Sequence, residues 1–413
     1  MSFVGLTTIG CSTLFPGAST STSSGSTPTV ATGCAASSQH VAPGGYYVNG
    51  NTVCTADGHA HLFHGVDRSS LESQSEGQNI SLSDFQLMAT WKANVVRIAL
   101  NQDFWLPGSV EYDPEYAATV DDAVHWAEDA GMDVILDLHW SDQGVLGSCN
   151  PANTSSKTCQ QPMADMNSLT FWSQVAAAYS GDGRVLFELY NEPHDVPWNI
   201  WKSGGSAAGF QVAGMQQLYA AVRGAGADNL VVIGGLNWAY DLSGVPDNRI
   251  TGYNILYATH PYNNGPTNNP SSFDFYWGFL SKTDPVIVTE FGDSADCTSS
   301  GGFTAGVTDY DSAVISSANQ YNASWTAWAW NPGNCKNYPS LTSDWNGTPT
   351  TLGTLIQTAL MGYSDPAPDG KRALGTADAG STSGDGAVSP SDAGGDGKPA
   401  ADGGAEGDGS TGG

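Results

Sequence analysis

Two apolar periodicities alternate along the chain. Eight short runs are continuously apolar and rich in β-branched residues: HLFHGVD (61–67), NVVRIAL (94–100), DVILDLHW (133–140), VLFELYNE (185–192), NLVVIGG (229–235), NILYATHPY (254–262), PVIVTEFG (285–292) and SWTAWAWN (324–331). Between them, apolar residues recur at helical spacing in LSDFQLMATWKA, ATVDDAVHWAEDAG, SLTFWSQVAAAYSG, GFQVAGMQQLYAAVRGAGA, FDFYWGFLSK and DSAVISSANQYN, and TLGTLIQTALMGY follows as a closing helix. LNWAYDLSGVPDNRITGY, between strands five and six, predicts a short helix at best. Apolar strands joined by helical crossovers mean a parallel sheet covered on both faces. Eight such units predict an α/β fold, a (β/α)8 TIM barrel, over residues 45–364. A doubly wound sheet is the competitor, but no Gly-rich phosphate turn follows an early strand.

The flanks lack either periodicity. Residues 12–44 are Ser/Thr-rich and predict a flexible linker. Residues 365–413 are rich in Gly, Asp and Ala, and predict a disordered tail. The tail has no aromatic residue, which excludes a carbohydrate-binding module there. Residues 1–11 end in Gly10-Cys11 after a short apolar run, a pattern resembling a bacterial lipoprotein cleavage site without the charged start. Release from the cell and lipid anchoring through Cys11 therefore both stay open. No run of about 18 apolar residues predicts a membrane-spanning helix.

Charge and composition narrow the partners. The formal net charge of −28 argues against nucleic acid or an anionic membrane, which both require basic patches. Only 13% of residues are charged, while there are 13 Trp and 16 Tyr, a balance suited to a neutral ligand with flat faces such as a sugar ring. The seven cysteines show no metal-site spacing and predict disulfides in an exported protein, paired 34–54, 149–159 and 297–335, with Cys11 left over.

Polar groups gather at the C-terminal ends of the predicted strands. Strand two carries Arg97, strand three ends in His139 and Trp140, and strand four ends in Asn191 and Glu192. Strand six ends in His260 and Tyr262, strand seven in Glu290, and strand eight carries Trp328 and Trp330. In an α/β barrel these ends converge on the face where active sites are built. Two carboxyl groups facing one another are what glycosidic bond cleavage needs. Glu192 is the expected general acid/base and Glu290 the expected nucleophile. Arg97 and Tyr262 are expected to hold Glu290 ionised, Asn191 to bind a sugar 2-hydroxyl, His139 and His260 to orient the site, and Trp328 to offer a flat face. Asp137 is expected to be a buried hydrogen-bonding residue, and His61, His64 and His125 to be structural. Asp142 and Asp293 fall near the site without an assigned role, and His194 is placed along the cleft. Two of Trp140, Trp198, Trp201, Trp238 and Trp345 are expected to be sugar platforms.

Six motifs in register, VVRIAL, LDLHW, NEP (191–193), THPY, TEFG (289–292) and WAWNP, resemble glycoside hydrolase family 5 across nearly all of 45–364. The resemblance implies a secreted retaining β-glycanase, most often an endo-β-1,4-glucanase, with catalytic glutamates at Glu192 and Glu290. The family's remaining active-site positions match Arg97, His139, Asn191, His260, Tyr262 and Trp328. A β-glucan substrate, a monomer and no cofactor or metal are expected. The alternatives are the same chemistry on mannan, xyloglucan or mixed-linkage glucan, transglycosylation, and a non-catalytic sugar-binding barrel.

Overall fold

The computed structural model describes residues 33–149, 159–263, 269–293, 308–332 and 339–363. Eight parallel strands close into a barrel: β1 (His64–Arg68), β2 (Val95–Asn101), β3 (Asp133–Trp140), β4 (Val185–Glu188), β5 (Val231–Gly234), β6 (Ile255–Thr259), β7 (Val286–Val288) and β8 (Ser324–Ala327). Neighbours in sequence are neighbours in space, and closure comes from pairing of β8 with β1, with Trp325 opposite His64. Gly65 allows β1 and β2 to approach, because a Cβ there would lie 1.8 Å from the Val95 carbonyl oxygen. Helices cover the outside, including Leu82–Thr90, Tyr116–Asp129, Asn167–Tyr179, Met215–Gly224, Thr308–Tyr321 and Thr351–Gly362. Thr350 caps the last of these by accepting from the Gly353 N–H.

Strand alternation sorts the side chains into two cores. Val96 and Ile98, Val134 and Leu136, Val185 and Phe187, and Val231 and Ile233 point outward into the large core beneath the helices. Val95, Ile135, Leu186, Val232, Leu256 and Ile287 point into the barrel and form one apolar layer. Two residues further along the same inward faces stand Arg97, Asp137, Glu188 and Thr289, all buried. The barrel is thus apolar at its N-terminal end and polar toward its mouth.

A small antiparallel sheet (Tyr46–Asn49, Thr52–Thr55, Ala60–His61) closes the N-terminal end, where Tyr46, Val53 and Phe63 join the inner apolar layer. It is tied to the starts of the strands. Tyr46 OH donates to Asp133, Val48 N–H donates to Asn254, and the Cys34–Cys54 disulfide fastens the chain before it. Residues 33–44 belong to this unit rather than to a linker running to 44: Ala42 is buried and His40 stacks on Tyr253.

Several elements are shorter than their patterns predict. Strand one starts at His64, because His61 pairs with Val53 in the small sheet. Strands four, six, seven and eight stop at residues 188, 259, 288 and 327, so the polar residues that follow sit just beyond the last ladder pairs. Phe210–Val212 is not helical but forms a hairpin with Gly205–Ala207, since Ala208 and Gly209 turn the chain at positive φ. FDFYWGFLSK divides into one α-turn, Phe273–Tyr276, and a 3-10 segment, Gly278–Lys282. The short helix expected between strands five and six is Val245–Asn248. Of the predicted disulfides, 34–54 and 149–159 are formed, while Cys11, Cys297 and Cys335 lie outside the described residues. No described helix is long and apolar enough to cross a membrane.

Candidate active site

Arg97 is the centre of the polar layer. Its Nε donates to Glu188 Oε2 at 2.6 Å, Nη1 to Glu290 Oε1 at 2.7 Å, and Nη2 to Asn191 Oδ1 at 2.8 Å. Asp137 Oδ2 lies 2.9 Å from Nη2, and Asp67 Oδ1 lies 3.4 Å from Nη1. One fully buried guanidinium therefore serves four carboxyl groups, and its rigid fork sets their directions. Burial pushes Asp67 well above the ordinary carboxylate range, with Glu290 and Glu188 adding to the rise against the charge of Arg97. Burial also pushes Asp137 up to about 6 despite Arg97 and His139. For Glu188 burial acts the same way but loses to Arg97 and His260, which bring it down to about 2.

His260 continues the network. Its Nε2 lies 2.9 Å from Thr289 Oγ1, which in turn donates to Glu188 Oε1 at 2.8 Å, and its Nδ1 lies 3.0 Å from Glu192 Oε1. Burial alone would lower its pKa, but Glu290, Glu188 and Glu192 raise it to about 10. Both of its ring nitrogens are thus hydrogen-bonded, and because Thr289 spends its own proton on Glu188, Nε2 is the donor to Thr289.

Glu192 and Glu290 face one another across the barrel mouth. One oxygen of each, with a ring nitrogen of His260, all lie within 4.8 Å of one another. That trio has the donor count of a small metal site, but both His260 nitrogens are taken up by hydrogen bonds to Glu192 and Thr289. Glu290 takes two hydrogen bonds, from Arg97 and from Tyr262 OH at 2.9 Å. Burial opposes its ionisation, yet the charges of His260, Arg97 and His139, with the Tyr262 hydrogen bond, hold its pKa below the ordinary value. Glu192 is more exposed, its side chain at 12%, and accepts on Oε2 from Gln160 Nε2.

The walls follow from the same strand ends. His139 Nδ1 lies 2.6 Å from Asp137 Oδ2, and its Nε2 lies 3.4 Å from Asn191 Nδ2. Its ring is parallel to Trp328, with centroids 5.3 Å apart, and the Trp328–Ala329 peptide is cis. Among the five tryptophans, Trp201 is fully buried and Trp198 packs edge-on against it. The Arg68 guanidinium lies over the Trp345 ring. Trp140 is half-buried at the end of β3. Trp238 is 45% exposed and stacks on His194 with centroids 3.6 Å apart. It stands in the middle of three consecutive residues at positive φ, Asn237, Trp238 and Ala239.

Arg97, Asn191, His139, Glu192, His260, Tyr262, Glu290 and Trp328 thus meet in one constellation, and Trp140 sits beside His139 with ring centroids 6.4 Å apart. Asp137 is a buried hydrogen-bonding residue, as expected. His64 is a buried residue stacked on Tyr363, held neutral by burial at about 3, and His125 is exposed on a helix beside Asp121. Asp142 accepts from the backbone of the loop at Ser148 and Cys149 and does not reach the glutamates. Sequence reasoning missed Asp67, Glu188 and Gln160. Strand parity could have found the first two, since Asp67 is opposite Arg97 and Glu188 opposite Asp137. Gln160 carried no signal.

Residues 55–334 match the family model for Cellulase (glycosyl hydrolase family 5). The chain is 24% identical over 314 residues to the Endoglucanase MaCel5A of Microbulbifer sp. (strain ALW1), covering 71% of this chain and 54% of that protein. It is 25% identical over 249 residues to Endoglucanase A of Butyrivibrio fibrisolvens, covering 59% and 51%. The chain thus spans about half the length of these curated relatives. The fold matches the β-glucanase SdGluc5_26A of Saccharophagus degradans in complex with cellotetraose, with a TM-score of 0.62, 23% identity, and coverage of 77% of this chain and 93% of that one. It also matches the catalytic domain of the Thermobifida fusca endoglucanase Cel5A, with a TM-score of 0.58, 18% identity, and coverage of 77% and 97%. With its barrel, its strand-end glutamates and a family match over most of its length, the chain belongs to glycoside hydrolase family 5.

Proposed function

We propose that the chain is a secreted retaining endo-β-1,4-glucanase, with Glu192 as general acid/base and Glu290 as nucleophile. The observation that carries this reading is the approach of the two carboxylates, with facing oxygens within 4.8 Å. Retaining enzymes hold their carboxyl groups about 5–5.5 Å apart, whereas inverting enzymes leave about 6.5–9.5 Å for a water. The environments support the division of labour. Glu290 is buried, doubly hydrogen-bonded and held ionised, as a nucleophile must be. Glu192 is the more exposed of the pair, as a residue that exchanges protons with leaving group and water must be.

In the first step a Glu290 oxygen bonds to the anomeric carbon while Glu192 gives its proton to the departing glycosidic oxygen. In the second, a water attacks the same carbon, its proton passes to Glu192, and Glu290 is released. Asn191, oriented by Arg97, presents its amide to the sugar 2-hydroxyl. Trp328, backed by His139, offers a flat face to the ring, and Trp238 extends the cleft. The relatives named as endoglucanases support a β-1,4-glucan substrate. Two disulfides support export to an oxidising compartment.

The test is release of reducing ends from carboxymethyl cellulose, galactomannan, xyloglucan and xylan in parallel, with Glu290→Ala and Glu192→Gln as controls. Cleavage of the cellulose derivative, lost in both controls, is expected. Stronger cleavage of mannan would replace the substrate, and full activity in either control would remove the role assignment.

A further inference from the structure

The arrangement around Glu192 poses a problem for an acid. Both of its oxygens are already engaged: Oε1 is hydrogen-bonded with His260 Nδ1, and Oε2 accepts from Gln160 Nε2. A carboxyl that protonates a leaving oxygen must carry the proton on an oxygen free of other donors. Oε1 cannot be that oxygen. His260 is wholly buried and fixed from its other side by Thr289. Oε2 remains, and there the Gln160 amide stands where the leaving oxygen must come.

Gln160 is built to yield. Its backbone is clamped on both sides: Cys159 by the disulfide to Cys149 and by the Ser141 N–H on its carbonyl, Gln161 by Tyr190 OH on its carbonyl at 2.6 Å, and Pro162 by the His194 N–H on its carbonyl at 2.9 Å. The Gln160 side chain itself is only half-buried. The main chain stays put while the amide can swing.

We propose that Gln160 is a positioning residue for the acid/base: its amide caps Oε2 of Glu192 whenever that oxygen bears no proton, and gives the place up to the glycosidic oxygen once Oε2 has taken a proton from solvent and a sugar fills the leaving-group side. The amide then turns to the hydroxyls of that sugar. This rests on the reading of Glu192 as acid/base. After the first step Glu192 is ionised and the amide returns to Oε2. The incoming water displaces it again, attacks the anomeric carbon and passes its proton to Oε2. The titratable groups facing Glu192 are His260, Glu290 and Tyr262, with His194 on its backbone carbonyl.

The experiment follows kcat/KM against pH for wild type, Gln160→Ala and Gln160→Glu on two substrates, a soluble cello-oligosaccharide and 2,4-dinitrophenyl β-cellobioside. Losing a donor to the ionised form keeps the proton on Glu192 to higher pH. The alkaline limb on the oligosaccharide should move up by about one pH unit in Gln160→Ala. It should move further in Gln160→Glu, which sets a second carboxyl against the first. On the dinitrophenyl substrate, whose leaving group needs no proton, the three profiles should overlay. An unmoved or lowered alkaline limb would overturn the proposal, and so would an equal loss on both substrates with unchanged profiles, which marks a merely structural role. Glu192→Gln, measured alongside, separates the two readings: full activity there on the oligosaccharide overturns the acid/base assignment itself.

Discussion

Removing one oxygen atom from Tyr262 should move the acid side of the pH profile. The Tyr262 hydroxyl donates to Glu290 Oε2 at 2.9 Å, and the other oxygen of that carboxylate takes Arg97 at 2.7 Å. Tyr262→Phe keeps the ring and deletes only the donor. Glu290 is 5% exposed, so water does not readily replace it. A hydrogen bond to a charged group contributes about 1.5–3 kcal/mol, and one pKa unit corresponds to about 1.4 kcal/mol. Against burial, the lowering comes from His260, Arg97 and His139 before the tyrosine, so the lower end applies, about one unit. The donor favours the ionised form, so its loss raises the pKa of Glu290. Activity should then fail at a pH about one unit higher on the acid side. The assay is kcat/KM on a soluble cellulose derivative from acid to neutral pH, with the melting temperature as a control on folding. An acid limb that stays still, or moves down, in a fully folded variant would refute the reasoning.

Three further outcomes are expected. Replacing Cys149 and Cys159 by alanine opens a loop with a sequence separation of 10 and should cost roughly 2.5–3 kcal/mol of stability, read by denaturant titration. Trp238→Ala, which removes a 45% exposed ring stacked on His194, should raise KM about fivefold with kcat nearly unchanged; a fall in kcat with unchanged KM would contradict its role as a sugar platform. Burial, helped by Asp142, raises Asp103 from 3.8 to about 8, and burial, helped by Asp182, raises Glu128 from 4.5 to about 8. Their folded-state values lie above the unfolded ones, so the folded protein binds more protons in that window and its stability falls as pH climbs toward 8. Calorimetry should show a melting temperature that declines across the window and a flatter profile in the double variant Asp103→Asn, Glu128→Gln.

The legible part of this protein is what repeats. Strands such as DVILDLHW are apolar on both faces because helices cover one side and the barrel lining the other, and eight of them at helical spacing leave little choice of fold. The strand ends were legible for the same reason, since Asn191, Glu192, His260 and Glu290 break apolar runs abruptly. The inner charges were hidden by the same composition. Glu188 sits inside an apolar run and reads as an exception until its parity with Leu186 is counted. Gln160 stayed invisible because it reaches the site from a loop held by long-range bonds, from Tyr190, Ser141 and His194, that leave no local pattern. The Phe210 hairpin was missed because two residues at positive φ outweighed a helical apolar spacing.

The small sheet under the barrel has a structural consequence. Chain entering from the N-terminal side meets the Cys34–Cys54 bond first, then a plug whose Tyr46, Val53 and Phe63 are continuous with the barrel lining. The glutamates lie at the opposite end of the same strands. Opening that sheet would therefore expose the apolar lining at the end of the barrel remote from the glutamates, so damage to the plug reaches the site only through the length of the strands.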